Sequence, residues 1–137
     1  MDFAKYLRGM FAIAIWDTTQ TRLLLCRDRV GIKPLFYAET SEGLVFGSEI
    51  KALLEHPGVS REPNFTALHH YLSLKNTPAP ETAFQQVSQL RAGEMLVWNN
   101  NEISLHRWWN ADFGRTFEGD EQDAIREIRR LLEESVN

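Results

Sequence analysis

At 137 residues with 43% hydrophobic content, the chain has the size and composition of one soluble globular domain with a single core. Its formal net charge of -4 gives no electrostatic footprint for nucleic acid or an anionic membrane surface. One cysteine excludes an intrachain disulfide, MDFAKYLRGM lacks an apolar signal core and no run is long enough to span a membrane, so a cytoplasmic location is expected.

Asp2 to Arg8 reads as a short helix, with Asp2 suited to its first turn and Phe3, Tyr6 and Leu7 at helical spacing. Gly9 is placed for its C-terminal cap, and a helix this short must dock on a sheet to persist. Apolar runs then alternate with polar breaks, the pattern of antiparallel strands in a meander. In GMFAIAIWD, Phe11, Ile13 and Ile15 share one face, yet Ala12, Ala14 and Trp16 on the other are apolar too. A strand apolar on both faces is expected in the centre of a sheet. Thr18–Thr21 makes a hairpin connection, Arg22–Arg27 returns beside it, and Leu35–Ala38 and Leu44–Phe46 follow around a Ser41-Glu42-Gly43 turn.

Between the second and third of these strands lies Arg27-Asp28-Arg29-Val30-Gly31-Ile32-Lys33-Pro34. Gly31 permits a backbone conformation closed to other residues, and Pro34 drives Lys33 towards extended geometry. Arg27 and Asp28 point to opposite faces of an extended chain, so each needs its own partner. On residue types alone this is a well-specified turn with charges at its rim, and Met10 is a gap-filler in the core.

Ser48 is placed as the N-cap of a helix to about His56, with Glu49 in the first turn and Ile50, Leu53 and Leu54 as its buried stripe. Asn64 caps a second helix, Phe65 to about Leu74, whose apolar face is Leu68, Tyr71 and Leu72. His69 and His70 project about 100° apart on that helix, and His56 and His106 stand alone, so no metal site is expected. Asn76–Thr82 is an extended loop, Ala83–Leu90 has room for one helical turn, and Glu94–Trp98 and Ile103–Trp108 form a hairpin around Asn99-Asn100-Asn101. Trp108 and Trp109 seal a sheet edge. Periodicity lapses over residues 110–119, after which Asp120 caps a helix to about Val136 with Ile125, Ile128, Leu131 and Leu132 on one side.

GMFAIAIWD, RLLLCRDRVGIKPLFY and LVFGSEIKALL, in that order with ordinary loops between, resemble the second half of a glutaminase domain. The domain is that of glutamine-hydrolysing asparagine synthetases, class II (N-terminal-nucleophile) glutamine amidotransferases. VSQLRAGEMLVWNNNEISLHRWW resembles its closing strand pair. The resemblance implies an α+β fold, a mostly antiparallel sheet with packed helices forming part of an αββα sandwich. It divides the chain into residues 1–109, the C-terminal part of the glutaminase domain, a linker at 110–119, and 120–137 as the first helix of a truncated synthetase domain. It assigns Arg27, Asp28, Gly31, Lys33, Pro34, Ser48 and Glu49 to shaping the sheet and meeting the synthetase domain, and sets Met10 beside an ammonia passage.

The same resemblance supplies no catalytic residue. That chemistry needs a cysteine at position one whose own amine serves as base, and this chain begins Met1-Asp2. Cys26 lies inside a predicted strand with Arg27 on the opposite face, the place of a small buried hydrophobe. The glutamine-binding arginine, the Asn-Gly oxyanion element and the amine-binding aspartate belong to motifs upstream of Gly9. No nucleotide-binding loop occurs, so the chain is expected to hold no cofactor; ATP and magnesium belong to the parent family's other domain. The expectation is a fragment, inactive alone, of an enzyme that hydrolyses glutamine, passes on ammonia and amidates aspartate with ATP. The alternative is a binding module that complements a separate N-terminal half or amidotransferase partner, because the first strand's two apolar faces need cover. Self-association is expected on the same ground, with neither nucleic acid nor membrane as partner.

Overall fold

The computed structural model describes residues 2–114 and 116–136. A 3-10 turn, Asp2–Tyr6, leads into strands β1 (Ala12–Asp17), β2 (Arg22–Arg27), β3 (Phe36–Thr40) and β4 (Gly43–Gly47). Helices α1 (Ile50–Leu53) and α2 (Phe65–Leu74) follow, then β5 (Ser88–Gln89), β6 (Glu94–Asn99), β7 (Glu102–Arg107) and α3 (Glu121–Val136). The fold is α+β with antiparallel pairing throughout.

The expected single meander is instead two sheets, of order β1-β2-β6-β7 and β4-β3-β5. The strand needing neighbours on both sides is β2, whose Leu23 to Arg27 are all buried, and it takes β1 on one edge and β6 on the other. The segment after Arg27 therefore carries the chain out of one sheet and into the other. The centre predicted for β1 is likewise corrected: among the described residues β1 stands at the edge of its sheet, with Ala14, Ile15 and Trp16 exposed.

Leu23, Leu25 and Leu96 pack between the sheets against Leu35 and Leu90, with Tyr37 and Leu44 at the margin. On the far side of the four-stranded sheet, Leu24, Cys26, Met95 and Val97 meet Ala4, with Phe3, Phe11 and Trp108 alongside. On the far side of the three-stranded sheet, Ala38 and Val87 meet Leu53 and Val59, flanked by Ile50, Leu54 and Phe84. The layers thus run N-terminal turn, sheet, sheet, then α1 with its neighbouring loop. The turn is shorter than the helix predicted over Asp2 to Arg8, and Gly9 beyond it takes a φ of +95°.

Local signals held where a single side chain decides the geometry. The Asn64 side chain accepts from the Ala67 N–H at 3.1 Å and starts α2 where expected. Asn100 and Asn101 sit at φ 50° and 61°, as a two-residue primed hairpin turn requires. Asp120 accepts from the Asp123 N–H at 2.8 Å and opens α3. Ser48 does not cap α1: Glu49 occupies that place with no side-chain bond, and the helix is only four residues long. The face predicted for α2 is also wrong. Ala67 is its buried residue, while Tyr71 and Leu72 are exposed, Leu72 at 81%. Ala83–Leu90 holds the short strand β5 rather than a helical turn.

Candidate domain-contact and passage site

The crossover from β2 to β3 is tied from both sides by adjacent side chains of opposite charge. Arg27, 7% exposed, directs its guanidinium at three carbonyls: Nε to Lys33 at 2.7 Å, Nη1 to Leu90 at 2.6 Å and Nη2 to Gly31 at 2.6 Å. Asp28, 1% exposed, accepts from three amides: Ile32 at 3.0 Å, Lys33 at 2.9 Å and Phe11 at 3.3 Å. Lys33 is therefore gripped by its carbonyl from Arg27 and by its amide from Asp28. The separate partners expected of the two charges are main-chain groups, which a sequence pattern does not display.

Burial disfavours the Asp28 carboxylate, but the N–H groups of Lys33, Ile32, Phe11 and Gly31 outweigh it and hold its pKa below the usual carboxylate range. Burial draws the Arg27 pKa down against the opposing field of Asp28. Gly31, at φ +71°, leaves room where a Cβ would stand 3.1 Å from both the Ala92 Cβ and the Arg27 guanidinium carbon. The main chain of Asp28 joins in: its carbonyl accepts from Gly93 at 2.9 Å and its N–H donates to Phe11 at 2.9 Å.

Sequence reasoning missed the residues that brace this crossover from the far end of the chain. Trp108 donates from its indole N–H to the Arg27 carbonyl at 3.2 Å and stacks on Phe11 with ring centres 6.0 Å apart. Arg29 lies over the Trp108 ring at 5.5 Å and donates to the Leu7 carbonyl at 2.6 Å, locking the N-terminal turn down. Trp108 was legible as a sheet-edge aromatic, but the pairing across more than eighty residues was not.

The tied segment forms one wall of an open cleft of about 430 Å3 lined by Met10, Phe11, Ala12, Lys33, Pro34 and Ser48. Four of the residues singled out from sequence, Met10, Lys33, Pro34 and Ser48, thus meet on one surface. Met10 is 61% exposed at this cleft, so the core gap-filler reading is corrected. Glu49 is exposed next to Ser48 and pairs with Lys51 at 2.6 Å. Arg27, Asp28 and Gly31 lie behind the wall and act on it through the backbone. A second cleft of about 330 Å3 is lined by Asp2, Lys5, Met95, His106, Arg107 and Trp108.

A thioether, an amine and a hydroxyl border the first cleft, and among the described residues no histidine or carboxylate hydrogen-bonds the Ser48 hydroxyl to activate it. Cys26 is fully buried in the cluster with Ala4, Leu24, Met95 and Val97, and burial pushes its thiol up to about 11. Among the described residues no cluster of three or more His, Cys, Asp or Glu is arranged to hold a metal ion. No described helix is long and apolar enough to cross a membrane. The lining of the first cleft holds no histidine, cysteine or carboxylate among the described residues.

The profile of the glutamine amidotransferase domain matches residues 1–109, a span that includes both sheets, the crossover and the cleft. The chain belongs to the glutamine amidotransferase domain family. Glutamine-hydrolysing asparagine synthetase 3 of Bacillus subtilis (strain 168) is 31% identical over 136 residues, 98% of this chain and 22% of that protein. Glutamine-hydrolysing asparagine synthetase 2 of the same strain is 36% identical over 149 residues, 100% of this chain and 20% of that protein. A Gibberella zeae protein named amidase chry2 is 32% identical over 143 residues, 99% of this chain and 20% of its own length. This amidotransferase-family chain therefore spans about one fifth of the relatives it matches.

Proposed function

We propose that this chain is part of the glutaminase domain of an asparagine synthetase-type amidotransferase and supplies the wall across which ammonia passes to a second, ATP-using domain. The observation that carries this reading is the convergence of Met10, Lys33, Pro34 and Ser48 on one cleft, behind which Arg27 and Asp28 fix the backbone. Met10 and Pro34 offer an ammonia molecule no strong hydrogen bond, so neither side chain holds it in place. Lys33, Ser48 and Glu49 lie at or beside the mouth and suit contact with another polypeptide surface. Two sheets face to face between helical layers support placing residues 1–109 in an αββα N-terminal-nucleophile sandwich, with 110–119 as linker and α3 opening the next domain. The parent reaction would be glutamine hydrolysis, ammonia transfer and amidation of aspartate. ATP and magnesium would bind in that other domain.

The chain alone is expected to release no ammonia from glutamine. The passage is tested by exchanging residues 1–137 for the matching segment of Bacillus subtilis asparagine synthetase 3 and measuring asparagine formed per glutamine hydrolysed. Met10→Trp in that chimera is expected to lower this ratio several-fold while glutamine hydrolysis and synthesis from free ammonia persist. An unchanged ratio rejects the passage.

A second reading, a module that complements a separate N-terminal half, is favoured by the exposed apolar side chains of α2, Phe65, Tyr71, Leu72 and Leu74. Restoration of glutaminase activity by a polypeptide carrying only that half supports it, and a mixture as inert as the chain alone rejects it.

A further inference from the structure

Four residues from distant parts of the chain close a circuit of contacts around the crossover. The Asp28 N–H donates to the Phe11 carbonyl at 2.9 Å, the Gly93 N–H to the Asp28 carbonyl at 2.9 Å and the Trp108 N–H to the Gly93 carbonyl at 2.9 Å. The Trp108 and Phe11 rings complete the circuit, with centres 6.0 Å apart and planes inclined by 24°. Three of these links are main-chain hydrogen bonds, open to almost any residue. The fourth exists only because both side chains are aromatic.

The two ring partners differ in how firmly they are held. The Trp108 indole N–H donates to the Arg27 carbonyl at 3.2 Å, and the Arg29 guanidinium lies 5.5 Å from its ring. Next to it, the Trp109 N–H also reaches the Gly93 carbonyl, at 3.2 Å. Phe11 precedes β1, and its amide makes the longest of the three bonds to the Asp28 carboxylate, 3.3 Å. Its neighbours Met10 and Ala12 line the first cleft with it. The lightly held segment leans on the firmly held ring. That ring belongs to the first residue after β7, where the chain leaves the sheet for residues 110–119.

We propose that Trp108 is a positioning residue for the passage: its ring fixes Phe11, and with it the edge of the cleft formed by Met10 and Ala12. Trp108 does not line that cleft and acts on it through Phe11. The assignment rests on the passage reading above, whereas the hold of Trp108 on Phe11 does not. Leucine at position 108 would keep the main-chain bond to Gly93 and remove both the flat ring and the indole N–H. Phenylalanine would keep a ring and lose only the indole N–H. Comparing the two separates the ring contact from the bond to Arg27.

The test has two readouts. On the full chain, residue-resolved hydrogen exchange should show the Phe11 amide quickened by about tenfold in Trp108→Leu and by less than about twofold in Trp108→Phe. In the chimera with asparagine synthetase 3, asparagine formed per glutamine hydrolysed should fall several-fold in Trp108→Leu and stay near the unaltered value in Trp108→Phe. Lost stability alone would lower hydrolysis and synthesis together and leave that ratio where it was. A Phe11 amide equally protected in both variants, or a ratio that falls equally in both, would overturn the proposal. So would an unchanged ratio in Trp108→Leu where Met10→Trp lowers it. If Met10→Trp also leaves the ratio unchanged, the passage itself is rejected and the role of Trp108 in it falls too, while the exchange result stands on its own. Should Trp108→Leu fail to fold, Phe11→Leu breaks the same ring contact from the other side, and an unchanged ratio there overturns the proposal.

Discussion

Asp28→Asn should destabilise the chain by about 3 kcal/mol although it changes a single side-chain atom. The carboxylate accepts from Ile32, Lys33 and Phe11 at 3.0, 2.9 and 3.3 Å and is 1% exposed, so solvent cannot replace those bonds. An asparagine oxygen can serve Ile32 or, flipped, Lys33 and Phe11, but not all three, so its NH2 group always faces at least one amide, donor against donor. Buried hydrogen bonds to a charged acceptor contribute about 1.5–3 kcal/mol each, and the longer Phe11 bond belongs at the low end. Urea unfolding followed by tryptophan fluorescence measures the loss, which corresponds to a Tm decrease of roughly 10 °C for a domain of this size. The pH dependence checks the cause. Because the native pKa lies below the unfolded one, the stabilisation is complete above about pH 4 and is lost as pH falls through the depressed native value. The stability gap between the unaltered chain and the Asp28→Asn variant should therefore hold from pH 7 to about pH 5 and narrow in stronger acid. A loss under about 0.5 kcal/mol, or a gap indifferent to acid, would refute the account of the crossover.

Glycine substitutions separate backbone strain from steric conflict. Gly9→Ala meets nothing within 4 Å at φ +95°, so it should cost only about 1–2 kcal/mol of strain. Gly93→Ala, at φ +65°, brings a Cβ to 2.4 Å from the Trp109 carbonyl oxygen, and thermal melts should show at least twice that loss. Cys26, with its thiol raised to about 11 beneath the N-terminal turn, should react with a thiol-specific disulfide reagent at about pH 7.5 only after denaturation. Labelling of the native chain at the rate of a free thiol would contradict its burial. Asn64→Ala removes the 3.1 Å cap on the Ala67 amide and should cost about 1 kcal/mol in urea unfolding, while Asn64→Ser should recover most of it.

Elements decided by neighbours in sequence were legible. The strand Arg22–Arg27, the Asn64 cap and the paired asparagines of the β6–β7 turn follow from side-chain period, capping chemistry and tolerance of positive φ. The three motifs around Gly9–Lys51 were also enough to expect the amidotransferase family. Met10, Lys33, Pro34 and Ser48 were recognisable one at a time, but not as a common surface.

What remained lay in which strands pair. The alternation in GMFAIAIWD states that both faces are apolar, and it is silent on how many partners the strand finds. β2, with three consecutive leucines between its terminal arginines, took the interior, and β1 lies at the edge among the described residues. Two sheets replaced one because Arg27 and Asp28 bind the main chain of the crossover and redirect it, a geometry dependent on Leu90, Gly93 and Trp108 far along the chain. Composition and local chemistry thus determined the class and most of the elements, and the resemblance carried by three motifs pointed to the family. Long-range hydrogen bonds, whose partners are carbonyls and amides common to every residue, decided the sheets and the cleft.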